Sequence, residues 1–204
     1  MSKSLSDNSL RDEVLKWRER YNEAYRDLNH AEQRLEMQRK QATEDDAETS
    51  EMEKELHRIN VLLGLTDVTG PGVIVTVSDS QLDTSKILDI NRAIVHDGDL
   101  IEIVNILKNS GAEAISINDQ RIINTTAITC DGTVVTINGD KIGAPFVIKA
   151  IGSPEWLKGS LSEIPNSYVG QMIEDGVNVE VKKSNNITIE KYDGVIENSY
   201  MEDR

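Results

Sequence analysis

The nearest approach to a metal site in the sequence is the tetrapeptide formed by His96, Asp97, Gly98 and Asp99. Two carboxylates and an imidazole could together bind a divalent cation. The alternative is structural: Asp99 stands where the N-cap of a following helix belongs, and Asp97 lies beside the positive end of that helix. We favour the structural interpretation, because neighbouring ligand types alone fix no coordination geometry. The sequence therefore predicts no metal ion and no cofactor.

A second polar group runs from Asn118 to Arg121, directly after an apolar stretch. Arg121 could bind the carboxylate or phosphate of a ligand through two parallel hydrogen bonds, with Asn118 and Asp79 beside it. The same arginine could instead form an internal tie to Asp79, while Asn118 bonds the backbone of its own turn. Polar residues at strand ends usually satisfy nearby backbone first, so we expect Arg121 to face inward.

Three further features give no catalytic constellation. The segment 69–72 (TGPG) precedes a strand rather than a helix, so we interpret it as a turn and not as a phosphate loop. Cys130 ends a β-branched run, where a small apolar filler is the usual role. His30 and His57 fall in a heptad region, and no serine has a nucleophile motif. We therefore expect a protein that is not an enzyme.

The composition excludes several classes of partner. The 204 residues carry a formal net charge of −14 and include two Trp, five Tyr and one Phe. A protein that follows nucleic-acid phosphates needs a basic surface, so nucleic acid is not expected. The single cysteine excludes an intrachain disulfide. No window of about twenty apolar residues occurs, so the chain as given is expected to be soluble.

The first third of the chain carries a heptad repeat of apolar residues from Leu10 to Leu63. The repeat predicts self-association through parallel helices, most simply a dimer. A single amphipathic helix packed on its own domain is the alternative. Asp45 interrupts the repeat, so we expect a local unwinding or break there. The core residues expected to make the contact are Leu10, Val14, Trp17, Tyr21, Leu28, Leu35, Met52, Leu56, Ile59 and Leu63.

The remainder alternates strands with helices. A β-branched run at 72–79 predicts a strand, Asp99 to Gly111 predicts a capped helix, and 113–118 predicts the next strand, which together make a β-α-β unit. Asp131-Gly132 between two β-branched runs predicts a hairpin, and Asn138-Gly139 predicts another turn.

The last part of the chain predicts strands at both ends and helices between them. Residues 145–152 predict a strand, and Ser153 and Pro154 predict a helix start. A further helix is expected to end at Gly176. Two strands, 177–183 and 187–192, are then expected around a turn at 184–186.

Without the hairpin, the order of elements is β-α-β-β-α-β, which is typical of the ferredoxin-like fold. The sequence therefore predicts an α+β protein: a long N-terminal coiled-coil helix followed by a ferredoxin-like (split β-α-β) domain with an inserted β-hairpin and a mostly antiparallel sheet. The predicted boundaries are a coiled coil over 1–66, the domain over 67–192 and a flexible tail over 193–204.

The motifs GPG, GAEAISIN.QR and PF.I.AIG occur in this order within residues 62–183. Together they resemble the bacterial envelope proteins known as the DUF881 family, some of which are labelled "division initiation protein". The resemblance implies a single-pass membrane protein with a short cytoplasmic start, a transmembrane helix, a coiled coil and an α/β domain outside the membrane. It carries over no catalytic residues. The transmembrane helix is missing here, so the chain is either a fragment that begins after the membrane span or a soluble member of the family, and we expect the fragment.

The resulting hypothesis is a non-enzymatic bacterial cell-envelope protein. A coiled-coil oligomer would display the α/β domain to a protein partner in the envelope, in cell division or cell-wall assembly. The alternative is a regulatory domain that senses a small molecule at a site near Asn118 and Arg121.

Overall fold

The computed structural model describes residues 47–81, 90–132, 134–162, 167–196 and 200, together with separate positions between 16 and 38. The chain divides into two compact units, Met1–Leu56 and His57–Arg204. The described positions between 16 and 38 are helical and exposed. The continuous coiled-coil helix predicted over 1–66 stays a prediction, because residues 39–46, including the interruption at Asp45, lie outside the described residues.

Helices and antiparallel strands alternate in the described residues, which confirms the predicted α+β class. The helices are α1 (Ala47–Leu63), α2 (Asp97–Asn109), α3 (Pro154–Ser162) and α4 (Tyr168–Glu174), with a short 3-10 helix at Ile90–Ala93. The strands are β1 (Val68–Ser78), β2 (Ala114–Ile117), β3 (Gln120–Arg121), β4 (Ile128–Asp131), β5 (Val134–Ile137), β6 (Asp140–Ile142), β7 (Phe146–Ile151) and β8 (Asn178–Ile189). Within the described part of the chain, no helix combines the length and apolar character needed to cross a membrane.

The main sheet has five strands in the order β3-β2-β7-β1-β8. Each neighbouring pair is antiparallel, so β1 and β2 run in the same direction with β7 between them. Helix α2 connects β1 to β2 across one face of the sheet, and its buried residues join the core on that face. The ends of β1 and β2 therefore lie at the same edge, on either side of the start of β7.

The inserted segment is larger than the predicted hairpin, because β4, β5 and β6 form a separate three-stranded antiparallel sheet. Its two turns lie where the sequence predicts them, and Gly132, Asn138 and Gly139 all have positive φ. Val135 and Ile137 of β5 are buried in the main core, so the small sheet packs onto the rest of the unit. Strand β6 has only three residues and gives too short a pattern to predict.

The main hydrophobic core lies between the sheet and the helices. Val73, Val75 and Val77 alternate along β1 and are fully buried, as expected for the inner face of a strand. The opposite face carries a smaller buried cluster, made of Ala114, Ile151, Ile187 and Ile189. Ala114 and Ser116 of β2 lie on this second face, because they alternate with the core residues of the strand. Arg121 pairs with Ser116, so its side chain lies on the same face.

Helix α2 begins three residues earlier than the sequence predicts. Its first residue is Asp97 and its N-cap is His96. Asp99 is therefore the third helical residue and not the N-cap, and its carboxylate accepts a hydrogen bond from the His96 backbone N–H at 2.7 Å. An acidic side chain reaching back from this position satisfies one of the unpaired donors at a helix start. The predicted helix-ending residue Gly111 is confirmed, with φ +84°.

The TGPG segment lies inside β1 and is not the predicted turn. The pairing register with β8 shifts between Gly70 and Gly72, which marks a β-bulge that accommodates Pro71 within the strand. A Cβ on Gly72 would lie 1.8 Å from the Ala150 carbonyl oxygen, so only glycine permits this approach to β7. The glycine and proline residues of this segment therefore allow β1 to pack closely against its neighbouring strands.

Strand β8 runs without a break from Asn178 to Ile189, although the sequence predicts two strands. Asn185 and Asn186 lie where the register with β1 shifts, so β8 has two residues there opposite the single residue Pro71. The paired residues on either side, Ser184 and Ile187, therefore continue one strand through polar residues that predict a turn in isolation.

Candidate functional site

The polar residues after β2 form the turn of a two-residue hairpin. Ile117 pairs with Gln120, so Asn118 and Asp119 are the two loop residues between β2 and β3. Their φ values are +45° and +67°. A type I′ turn requires positive φ at both positions, and Asn and Asp tolerate it better than most residues. The polar residues are explained by this backbone geometry.

Both ends of the Asn118 amide bond the backbone at the start of β7. Its Nδ2 donates to the Pro145 carbonyl oxygen at 3.2 Å, and its Oδ1 accepts from the Val147 N–H at 2.8 Å. Lys149 of β7 completes the connection through an ion pair with Asp119 at 2.6 Å. Asn118 therefore holds the hairpin against the central strand, and these bonds occupy its amide.

Asp79 also forms hydrogen bonds with backbone and neighbouring groups. Its Oδ1 accepts a hydrogen bond from the Val95 N–H at 2.8 Å, which attaches the segment before α2 to the end of β1. Its carbonyl oxygen accepts from the Asn178 side chain at 3.3 Å.

Arg121 faces inward, as predicted, and is 4% exposed. Its Nη1 donates to two carbonyl oxygens, those of Thr66 and Glu190, each at 3.3 Å. The predicted partner Asp79 is wrong, because Thr66 precedes the first residue of β1 whereas Asp79 follows its last. Burial lowers the pKa of Arg121, and the nearby charge of Asp67 only partly opposes that effect.

Two further bonds join the chain segments that Arg121 bridges. The Tyr192 N–H donates to the Gly64 carbonyl oxygen at 2.8 Å, and the Lys191 N–H donates to Asp67 Oδ1 at 2.7 Å. We call Arg121 with residues 64–67 and 190–192 the Arg121 junction. It ties the end of α1, the hairpin and the segment after β8 together, although these are far apart in sequence. Sequence reasoning missed the backbone partners in both segments, because a carbonyl group carries no residue-type signal.

The junction depends on Gly64. Helix α1 ends with Gly64 at φ +79°, its N–H bonded to the Val61 carbonyl oxygen, and the Leu65 N–H bonded to that of Asn60. These are the two bonds of a Schellman ending. A Cβ on Gly64 would lie 2.7 Å from Ile123 Cγ2, so glycine is also needed for space.

The start of α2 forms a second polar group, beside β4. Cys130 is exposed, which corrects the predicted role as an apolar filler. Its Sγ donates to Asp97 Oδ1 at 3.1 Å, and its N–H donates to Asp97 Oδ2 at 3.0 Å. The hydrogen bond from Cys130 lowers the pKa of Asp97. The exchange of bonds holds the small sheet against the start of α2.

The same bonds make Cys130 a poor nucleophile. A backbone N–H from Asp97 lowers the pKa of the thiol, but the thiol's own bond to the Asp97 carboxylate, burial and nearby negative charge together raise it. The thiolate is the reactive species, so a raised pKa reduces reactivity at neutral pH. The described residues contain no group of three His, Cys, Asp or Glu side chains that could hold a metal ion.

Tyr168 connects α4 to the start of α2. Its hydroxyl donates to Asp99 Oδ1 at 2.6 Å. Burial, followed by this hydrogen bond and the charges of Asp99 and Glu102, raises the pKa of Tyr168 to about 12. The group at His96–Asp99 is therefore a joint between α2, α4 and the small sheet.

One face of α1 carries an apolar stripe of four predicted oligomerisation residues. Met52, Leu56, Ile59 and Leu63 follow each other at intervals of four, three and four residues, and each is between 41% and 68% exposed. Trp17 and Leu35 are also exposed. The other predicted contact residues, Leu10, Val14, Tyr21 and Leu28, lie outside the described residues.

Comparisons with known proteins give the same family as the motifs. The family described as "Bacterial protein of unknown function (DUF881)" matches residues 55–202. The UPF0749 protein YlxW of Bacillus subtilis is 34% identical over 135 residues, covering 66% of this chain and 57% of the relative. The UPF0749 protein Rv1823 of Mycobacterium tuberculosis is 30% identical over 153 residues, covering 71% of this chain and 50% of the relative.

A solved structure shares the fold. The crystal structure of an uncharacterized conserved protein from Mycobacterium tuberculosis superposes with a TM-score of 0.59 at 24% identity, covering 74% of this chain and 99% of that one. The chain spans about half the length of the curated relatives that it matches. The family match extends over most of the chain, from the second half of α1 to beyond β8. The chain belongs to the DUF881 family of bacterial proteins of unknown function.

Proposed function

We propose that this chain is a non-catalytic, self-associating protein that displays its α+β unit to a protein partner in the bacterial cell envelope. Helix α1 and the heptads before it provide the self-association, most simply as a dimer. The α+β unit provides the surface for the partner, in cell division or cell-wall assembly.

The observation that carries self-association is the apolar stripe of α1. Four large apolar side chains are at least 41% exposed on one helix face, at the spacing of a coiled-coil core. Fully burying an exposed leucine-sized side chain contributes roughly 1.5–3 kcal/mol, and each of these side chains would gain the share of it that corresponds to its exposed surface, which favours pairing two such stripes. The Schellman ending at Gly64 stops the helix where the stripe ends.

The non-catalytic part of the proposal is supported by how the candidate groups are used. Asn118, Asp79 and Arg121 each bond backbone groups, and the Arg121 guanidinium and the Asp79 carboxylate lie at opposite ends of β1. Asp97 and Asp99 bond Cys130, Tyr168 and the helix start. A ligand would have to displace these bonds before the groups could act on it.

The envelope location rests on the family resemblance. The test is fractionation of cells that express the complete gene of this chain or of YlxW. Recovery of the protein in the membrane fraction, released by detergent and not by high salt, supports the proposal. Full recovery in the soluble fraction overturns the location and leaves self-association untouched.

We also propose assigning the main sheet to the ferredoxin-like folds. Without the two-residue β3, the order is β8-β1-β7-β2, with α2 connecting β1 to β2 and α3 and α4 connecting β7 to β8. This is the arrangement of the split β-α-β unit. The small sheet of β4, β5 and β6 is then the insertion.

Sedimentation velocity on the whole chain tests self-association. Leu56→Glu combined with Ile59→Glu places two charges in the stripe and should lower the sedimentation coefficient at micromolar concentration, because it removes the contact between helices. The matched control is Lys54→Glu, which changes the net charge by the same amount at an exposed position off the stripe. A wild-type monomer, or equal dissociation of both variants, overturns the proposal.

The ligand-sensing alternative near Asn118 and Arg121 stays a prediction. Its three residues are engaged in the bonds described above, and no observation in the described part of the chain favours a ligand there. A thermal-shift screen of wild type against Arg121→Ala remains its direct test, since a ligand that stabilises only the wild type would support a sensor.

A further inference from the structure

Strand β8 forms one edge of the main sheet, and no strand among the described residues pairs with its outer side. It is twelve residues long, whereas β3 at the opposite edge has only two. A long edge presents a row of backbone N–H and C=O groups that another strand can bond. Its side chains decide which strand that is.

The side chains of β8 alternate between two faces. Val179 and Val181 point to the helix side, where they pack against the core, and Lys183 follows them. Glu180 and Lys182 point to the other side and bond each other at 2.8 Å. Lysines on an edge oppose pairing with most strands, so they select for a strand that places acidic residues opposite them.

We propose that β8 pairs antiparallel with β8 of a second copy of this chain, centred on Val181. In this register, Glu180 of each copy lies opposite Lys182 of the other, which gives two ion pairs on the open face. Val181 lies opposite its own counterpart on the helix face. The two sheets then join into one.

The nearby registers are worse because they oppose identical charges. Centring the pair on residue 180 puts Glu180 opposite Glu180, and centring it on 182 or 183 does the same for Lys182 or Lys183. Like charges directly opposite each other in a sheet are destabilising. Charge complementarity therefore selects Val181 as the centre.

Trp156 supports the same surface. It is 75% exposed in the first turn of α3. The neighbouring residue Glu155 bonds Lys183 of β8 at 2.8 Å, so this turn lies beside the edge strand on the helix face. Exposed tryptophans are among the residues most enriched at protein interfaces. Pairing of β8 brings Trp156 of each copy next to the joined strands.

This contact goes beyond the proposed function, because it does not use the apolar stripe of α1. Disulfide trapping in the whole chain tests it. In a Cys130→Ser background, Val181→Cys places two cysteines directly opposite each other, with Cα atoms about 4.5–5.5 Å apart. The control, Asn185→Cys, is exposed on the same strand, and the register separates its two copies by about 27 Å.

Val181→Cys should form the covalent dimer at least roughly tenfold faster than Asn185→Cys, since only the first pair meets the geometry of a disulfide. Equal rates overturn the proposal. Circular dichroism of each variant shows that both are folded before oxidation.

Charge reversal tests the register. Glu180→Lys alone puts lysines opposite each other and Lys182→Glu alone puts glutamates opposite each other, so each should slow the Val181→Cys trapping about three- to tenfold. The double reversal restores both ion pairs and should restore the rate. Failure of the double variant to recover contradicts the proposed register.

Adding Leu56→Glu and Ile59→Glu separates this contact from helix association. Selective trapping at Val181 that persists in this background supports pairing through β8 by itself. A wild-type dimer in sedimentation that shows no selective trapping overturns the β8 contact and leaves the proposed function standing.

Discussion

The two polar groups that stand out in the sequence lie in contrasting surroundings. Arg121 is 4% exposed and bridges two backbone carbonyls within the unit, whereas His96, Asp97 and Asp99 open a helix at the partly exposed surface. Both groups carry residue types that could bind a ligand, and both satisfy structure instead. The difference in burial decides how much each group contributes to the free energy of unfolding. A polar group that loses its hydrogen-bond partner costs more where water cannot replace that partner.

The largest expected effect is at the buried group. Arg121→Ala leaves the Thr66 and Glu190 carbonyl oxygens without their donor and creates a cavity, so it should lower the free energy of unfolding by about 3 kcal/mol. Arg121→Lys keeps the charge but not the guanidinium geometry, so its free energy of unfolding should lie between those of the wild type and Arg121→Ala. Urea unfolding followed by circular dichroism measures both. A loss below about 1 kcal/mol for Arg121→Ala would show that the junction adds little.

A smaller effect is expected at Gly64, and the chain provides a matched control. Gly64 and Gly111 both end helices, at φ +79° and +84°. Alanine at either position should cost about 1 kcal/mol for the left-handed backbone. Gly64→Ala should cost roughly twice as much, because its Cβ meets Ile123 at 2.7 Å whereas nothing lies within 4 Å of that of Gly111. Equal urea midpoints for Gly64→Ala and Gly111→Ala would show that crowding by Ile123 is not the reason for glycine at position 64.

Substitutions in the hairpin turn should cost less stability than those at Arg121 and more than those at the start of α2. Asn118→Ala removes both bonds to the start of β7 and keeps a positive φ, so a loss of about 1.5 kcal/mol is expected. Asn118→Gly removes the same bonds but relieves the backbone, so it should be less destabilising. The same urea measurement compares them. If glycine is as harmful as alanine, the side-chain bonds account for the whole effect.

The smallest effect is expected at the exposed group, and it depends on pH. The folded pKa of Tyr168, about 12, lies above the ordinary value of 10.0. Its contribution to stability is therefore complete below pH 10 and is lost as the pH rises towards 12. Tyr168→Phe should remove one phenolate that titrates late in the wild-type ultraviolet absorbance, and the small stability loss that it causes at neutral pH should disappear as the pH rises towards 12. A wild-type titration in which all tyrosines ionise together near 10 would contradict the Asp99 bond.

Local signals account for most of the confirmed elements. The inward orientation of Arg121, the positive φ at Asn138-Gly139 and the helix end at Gly111 follow from residue type and its immediate neighbours. The α+β class follows from the alternation of short strands and capped helices. These features need no knowledge of distant contacts.

The errors involve contacts between distant parts of the chain. Arg121 lies 55 residues from Thr66 and 69 from Glu190, and both partners are backbone atoms. TGPG belongs to a strand because Gly72 lets β7 approach, which only the folded sheet reveals. Cys130 resembles an apolar filler until Asp97 is brought beside it. Tertiary pairing outweighs local preference at each of these positions.

The bond between Tyr192 and Gly64 has a mechanical consequence. Because β1 and β8 are antiparallel neighbours, the segment before β1 and the segment after β8 lie at the same end of this pair of strands. A pulling force applied to these two points would peel β8 from β1 one rung at a time, beginning at Val68 and Ile189, instead of shearing all rungs together. The bonds at Arg121 are loaded before the first rung. The bonds of the Arg121 junction must therefore break first, and they set the force at which β8 begins to separate from β1.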